Sequence, residues 1–148
     1  MPTSPARHSR HAPPRALPTP LRSPDRAIDV ILDATDLDQP ATVCLTLDDG
    51  RWPIACIVVD HDDQPDDPDD VLQVVDRIAE CIAAAPDVGS VVLASVRPTA
   101  PCDADDADRL LELTMLFDAI GVDLLEWFVI HPLGIAHLRA ATGAPSRW

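Results

Sequence analysis

The residues best suited to chemistry lie in one short segment, Ser95 to Asp108 (SVRPTAPCDADDAD). It contains one guanidinium, one thiol and four carboxylates. Carboxylates can bind a cation or exchange protons, whereas the same negative charge disfavours a thiolate at Cys102. A hydrolase that binds a metal ion at this segment would draw on Asp105, Asp108 and Cys102, with His131 as a further candidate. We keep this hydrolase as one interpretation of the segment.

The segment must be positioned by a strand before it and a helix after it. Ser90 to Ala94 is a short apolar run, typical of a central strand. From Asp105 to Ile120 the apolar residues recur with the period of a helix. Gly121 then suits the residue with positive φ that ends a helix. The sequence therefore predicts strand, loop, helix and, over residues 122–130, a second strand.

Further elements are predicted on both sides of this unit. Ser23 as N-cap and Pro24 at the first helical position predict a helix start, although residues 27–32 (AIDVIL) also suit a strand. Residues 42–47 alternate with a period of two, Asp49-Gly50 follows, and residues 52–59 are almost wholly apolar, which together indicate a hairpin with a tight primed turn. The predicted elements are a helix to Ala34, a hairpin over Ala41 to Val59, a helix from Val71 to about Ala85, and an apolar piece of open type, Ile135 to Ala141.

This order of elements predicts an α/β (α+β) fold, a mixed sheet with helices on its faces. The chain has 148 residues and is 47% hydrophobic, which is enough for one domain with a core. Residues 1–22 are rich in Pro, Arg, Ser and His and lack periodicity, which predicts a disordered tail. The predicted domain is therefore residues 23–148.

The charge of the chain is unevenly distributed. Residues 1–26 hold five Arg and one Asp, a net charge of +4, and the rest holds six Arg and 24 acids, a net charge of −18. These sum to the −14 of the whole chain. A body with this charge repels phosphate backbones, so nucleic acid is expected only through the Arg-rich tail. A nucleic-acid-associated protein that uses this tail is therefore another interpretation.

A second acidic stretch, residues 60–70 (DHDDQPDDPDD), has seven Asp in eleven residues. It lacks the Gly and the terminal Glu of a calcium loop. We therefore interpret it as a solvated linker in which Asp69 or Asp70 caps the next helix.

The cysteines indicate a reducing compartment. No C-x-x-C pair occurs among Cys44, Cys56, Cys81 and Cys102, and Cys56 and Cys81 fall on apolar faces typical of a core. No apolar run approaches the ~18 residues of a membrane span, and the N-terminus lacks an apolar signal region. We therefore expect a cytoplasmic protein with free thiols and no membrane association.

The segment around Arg97 resembles the metal loop of the RadC-like branch of the JAB/MPN metallopeptidase superfamily. That loop has the general form H-x-H-P, about seven residues, then S-x-x-D. Aligned without gaps, Pro98 and Asp108 match the family's proline and aspartate. Ser95 and Arg97 stand at the two histidine positions, and Asp105 stands at the serine position.

The resemblance extends beyond this loop, over roughly residues 25 to 143. Residues 121–126 (GVDLLE) look like the family's next strand entry, and residues 138–139 (LR) look like a short element near its end. The upstream hairpin and helix also match in order and length. The resemblance implies the JAB/MPN-like fold and an isopeptidase-type ancestry.

It also implies that the activity is lost. In the family the two histidines and the aspartate hold zinc, an upstream Glu is the general base, and the serine steadies the oxyanion. Such a zinc needs neutral imidazoles and an open coordination position. The Glu position falls within residues 54–57 (IACI), so only Asp108 of the functional set remains. The resemblance therefore implies a degenerate site (Ser95, Arg97, Asp105, Asp108) without catalytic residues, metal or cofactor, in a pseudo-metallopeptidase that binds a protein partner not identified by the sequence.

Arg97 bears on this prediction most directly. A guanidinium stays charged at any ordinary pH, so at a ligand position it repels Zn²⁺. A lost zinc leaves buried carboxylates without a cation, which is costly. We predict that Arg97 replaces the metal electrostatically by pairing with Asp108 or Asp105. The competing interpretation is that Arg97 extends into solvent.

Overall fold

The computed structural model of the chain describes residues 9–12, 19–61, 70–99 and 102–148. The helices and strands follow the order that the sequence predicts, with one further strand at the start. The apolar piece of open type, Ile135 to Ala141, falls in a short strand and a short helix. The elements are β1 (Ser9–Ala12), α1 (Pro24–Ala34), β2 (Ala41–Leu47), β3 (Pro53–Asp60), α2 (Asp70–Ala83), β4 (Ser90–Val96), α3 (Asp106–Asp118), β5 (Asp123–His131), β6 (Gly134–His137) and α4 (Leu138–Ala141).

The strands form one mixed sheet with the order β1-β3-β2-β4-β5-β6. Among the described strands, only the neighbours β4 and β5 are parallel, because α3 crosses from the end of β4 back to the start of β5. The other neighbours are antiparallel. The predicted fold class, a mixed sheet flanked by helices, is confirmed.

Two apolar clusters fill the two faces of the sheet. One lies under α2, α3 and α4, and the other lies under α1. Strand β4 serves both, because Val91 and Leu93 face the first cluster whereas Val92, Ala94 and Val96 face the second. The same alternation places residues 95 and 97 on the face of the sheet that α2 and α3 cover.

The helix boundaries follow the predicted signals. Helix α1 begins at Pro24 and ends at Ala34, as predicted, although the Ser23 side chain makes no capping hydrogen bond. Helix α3 begins one residue later than predicted and ends at Asp118. Gly121 has the predicted positive φ, +74°.

The hairpin turn differs from the prediction of a tight primed turn at Asp49-Gly50. The Arg51 N–H donates to the Asp48 carbonyl and the Asp48 N–H donates to the Trp52 carbonyl, both at 3.0 Å. Arg51, not Gly50, holds the positive φ, at 69°. The Arg51 Nη2 donates to the Arg147 carbonyl at 3.0 Å, so this residue connects the turn to the end of the chain.

Strand β3 is less covered than its apolar sequence suggests, since Ile54 is 41% exposed. Pro53 cannot donate to the ladder, and the pairing shifts between Thr46 and Leu47 at this end of the hairpin. The missing donor of Pro53 accounts for this irregularity.

Part of the predicted tail, residues 1–22, belongs to the described structure. Residues 9–12 pair with β3, and Leu21 is only 2% exposed, with its N–H donated to the Arg51 carbonyl at 2.9 Å. Burial of the apolar Leu21 side chain stabilises the folded state, so the folded part begins before residue 23. Residues 1–8 and 13–18 of the tail, with part of the expected nucleic-acid contacts, lie outside the described residues, as do residues 62–69 of the predicted linker.

The cysteines divide into buried and exposed pairs. Cys44 and Cys56 are buried, and burial raises the pKa of the Cys56 thiol to about 11 and also raises that of Cys44. Cys81 was predicted in the core but is exposed, because it lies beside the apolar stripe of α2 and not on it. None of the described helices is long and apolar enough to cross a membrane.

Candidate functional site

The candidate site lies where β4 ends and α3 begins. The backbone N–H of Arg97 extends the ladder by donating to the Ile130 carbonyl at 2.8 Å. The Arg97 guanidinium then reaches the first residue of α3. Its Nη1 and Nη2 donate to the two carboxylate oxygens of Asp106 at 2.8 and 2.9 Å. Both side chains are 3% exposed, so this is a buried bidentate ion pair.

Asp106 collects further donors. The Asp103 N–H donates to Oδ2 at 2.7 Å, and the Arg109 Nη1 donates to Oδ1 at 3.2 Å. Arg109 also lies 3.2 Å from the Asp103 carboxylate. The start of a helix favours a negative charge, which adds to the stability of the carboxylate at this position. Asp106 is therefore compensated in both charge and hydrogen bonding.

Trp127 on β5 contacts both Ser95 and Arg97. Its indole N–H donates to the Ser95 hydroxyl at 3.0 Å. The Arg97 guanidinium carbon lies 5.7 Å from the centre of the Trp127 ring, within the range of a cation–π contact. Ser95 and Arg97, which stand at the histidine positions of the resemblance, thus converge on one aromatic side chain.

The prediction that Arg97 pairs with an acid of this loop is correct, but the predicted partners, Asp105 and Asp108, are wrong. Both are exposed, and Asp106 is the partner. Helical geometry explains the difference, because residues 106, 110, 113 and 117 form one buried stripe. Extending that stripe backwards by one turn from Leu110 would have identified Asp106 from the sequence.

The other predicted site residues are not drawn into this cluster. Cys102 is exposed, and partial burial and the Asp106 carboxylate raise the pKa of its thiol, against the opposing effect of Arg97. His131 ends β5, where its Nδ1 accepts the Leu133 N–H at 3.3 Å. Among the described residues, no three His, Cys, Asp or Glu side chains are arranged to hold a metal ion.

The residues at the two positions that the resemblance assigns to zinc-binding histidines do not fit zinc. The Ser95 hydroxyl already accepts the indole N–H, and Arg97 brings a guanidinium cation that pairs with Asp106. The segment that would carry the general base, residues 54–57, lies in β3 without an acid. The two positions that the resemblance assigns to histidines therefore offer no imidazole, and the position that it assigns to the general base offers no carboxylate.

A second buried polar cluster, which sequence reasoning missed, connects β5 to α4. Glu126 is 4% exposed, and its Oε1 accepts the N–H groups of Trp127 and Arg139 at 2.9 and 2.7 Å. The Arg139 Nη2 donates to the Leu124 carbonyl at 2.9 Å and to Thr114 Oγ1 at 3.2 Å. Burial lowers the pKa of Arg139. These contacts join the two later segments of the resemblance, residues 121–126 and 138–139, to each other.

No protein-family model matches the chain, and no curated protein sequence matches it.

Proposed function

We propose that the chain is a catalytically inactive domain of the RadC-like JAB/MPN type that acts by binding a protein partner. The observation that carries this proposal is the buried ion pair between Arg97 and Asp106. Arg97 stands at a position where the resemblance expects a metal ligand. Its guanidinium supplies the positive charge that a metal ion would otherwise bring.

The chemistry of the cluster supports loss of catalysis. A hydrolytic zinc must keep one coordination position open for water and must be held by neutral or anionic ligands. Arg97 is neither, and Asp106 is already saturated by donors from Arg97, Arg109 and the Asp103 backbone. A protein of this kind would act through its surface.

The free thiols of Cys44, Cys56, Cys81 and Cys102 suit a reducing compartment. On this basis we propose a cytoplasmic location.

The test is the zinc content of the purified, untagged protein after exposure to zinc and dialysis. We expect less than about a tenth of an equivalent per chain, because structural zinc binds tightly only when its ligands are preformed or can fold around it. Zinc near one equivalent would overturn the proposal and would justify an isopeptidase assay, with Asp108→Ala as the control. A thermal scan with divalent metals gives an independent readout, because a metal that binds the native state raises Tm.

A further inference from the structure

The outward face of α3 presents two large apolar side chains to solvent. Leu111 is 61% exposed and Met115 is 63% exposed. They lie one helical turn apart and are therefore neighbours on the surface. The opposite face of α3 is already buried in the core through Leu113 and Phe117. Isolated exposed apolar residues are common, but an adjacent pair on a helix that is already anchored provides a contact point for another molecule.

Acidic side chains border this pair. Asp108 and Glu112 are exposed and lie on the same side of α3 as Leu111 and Met115. The one basic residue of α3, Arg109, is 8% exposed and is turned toward Asp106. The charge around the apolar pair is therefore negative, in keeping with the net −18 of residues 27–148. Complementarity requires a basic partner.

Two other occupants fit this face less well. A second copy would bring Asp108 and Glu112 toward an equally acidic surface, and each chain carries a net charge of −14. The chain's own residues 1–18 are basic, but Met1 and Leu17 are their only large apolar residues, so they offer no apolar pair at helical spacing. The apolar pair and its acidic border fit a partner that combines positive charge with apolar residues one helical turn apart.

We propose that the outer face of α3, centred on Leu111 and Met115, binds a basic amphipathic helix of a partner protein. This rests on the proposed function, since it names the surface and the partner class of the interaction module. The partner helix would place apolar residues at i and i+4 against the apolar pair. Its Arg or Lys side chains would lie beside Asp108 and Glu112.

The test uses the full chain and a fluorescent peptide of about 18 residues, built from Leu and Arg with Leu on one helical face. Fluorescence anisotropy should detect saturable binding. We expect Leu111→Ser/Met115→Ser to weaken it by about tenfold or more, because anchors at the centre of a contact dominate its affinity. Leu133→Ser is the matched control, because Leu133 is 88% exposed but lies in the turn between β5 and β6. Circular dichroism checks that each variant is folded.

The outcomes separate the alternatives. Absence of saturable binding, equal binding by the double variant, or equal binding of a scrambled peptide of the same composition would each overturn the inference. So would a dimer in sedimentation equilibrium that Leu111→Ser/Met115→Ser dissociates, since the occupant would then be a second copy. Zinc-free protein that fails to bind the peptide refutes only this inference, whereas stoichiometric zinc refutes the proposed function whatever the peptide does.

Discussion

Two Arg–Asp pairs of similar geometry lie in very different surroundings. Arg97 contacts both oxygens of Asp106 at 2.8 and 2.9 Å, with 3% of each side chain exposed. Arg147 contacts both oxygens of Asp118 at 2.9 and 3.3 Å, with 29% and 46% exposed. The first pair connects the end of β4 to the start of α3. The second connects the last residues of the chain to the end of α3.

The comparison shows that contact geometry alone does not decide what an ion pair contributes. Charges in the second pair keep much of their hydration when separated, so the pair is worth little. Charges in the first pair depend on each other, because a charge left alone in the interior loses its hydration without compensation. The buried pair therefore specifies how the loop closes, although an apolar pair of the same volume could be as stable.

The largest expected effect follows from breaking the buried pair. Arg97→Ala should lower the free energy of unfolding near pH 7 by about 3 kcal/mol, the lower end for a buried pair that loses one partner. We expect the lower end because Arg109 remains 3.2 Å from Asp106. Urea denaturation measures the change as a shift of the midpoint at constant slope.

Two sets of variants sharpen this prediction. Asp105→Asn and Asp108→Asn remove exposed carboxylates of the same segment and should change stability by less than about 0.5 kcal/mol. The double replacement Arg97→Met/Asp106→Leu removes both charges and should restore most of the loss, because no charge is left unpaired. If Arg97→Ala costs no more than Asp108→Asn, Arg97 does not replace a metal electrostatically.

A smaller effect is expected from the neutral hydrogen bond beside the ion pair. Ser95→Ala leaves the buried indole N–H of Trp127 without its acceptor, which should cost about 2 kcal/mol. The background Trp127→Phe is the control, because the donor is then absent and Ser95→Ala should cost clearly less there. Equal losses in the two backgrounds would show that the hydroxyl matters for another reason.

Much of the fold was predictable because local signals and tertiary packing agree. Ser23-Pro24 marked the start of α1, Gly121 marked the end of α3, and the apolar run of β4 marked a central strand. The turn of the β2–β3 hairpin was not predictable in this way. The Arg51 side chain contacts the Arg147 carbonyl, 96 residues away in sequence, and the positive φ lies at Arg51. Glycine is the usual residue with positive φ in such a turn. Here that residue is Arg51, and its side chain makes the contact with Arg147.

The candidate site was half predictable. The sequence identified Arg97 as a cation that needs an acid, because its charge cannot be removed. It identified the wrong acid. The gapless alignment with a family motif pointed to Asp105 and Asp108, whereas the helical periodicity of α3 points to Asp106. The contact of Glu126 with the Arg139 N–H was not predictable, since nothing local indicates that β5 and α4 meet there.

The smallest expected effect concerns the exposed ion pair between Arg147 and Asp118. The pH dependence of its contribution to stability gives the clearest contrast with the buried pair. Hydrogen bonding from Arg147 lowers the pKa of Asp118. A lowered native-state pKa means that the pair stabilises the fold above the unfolded-state pKa of about 3.9 and loses this effect as pH falls through the lower native value. Asp118→Asn should therefore cost less than about 1 kcal/mol near pH 7, and nothing at a pH below both values. Salt at about 1 M should shrink the same cost by screening, while leaving the Arg97→Ala cost nearly intact. A cost for Asp118→Asn that persists in acid and in salt would mean that burial does not distinguish the two pairs.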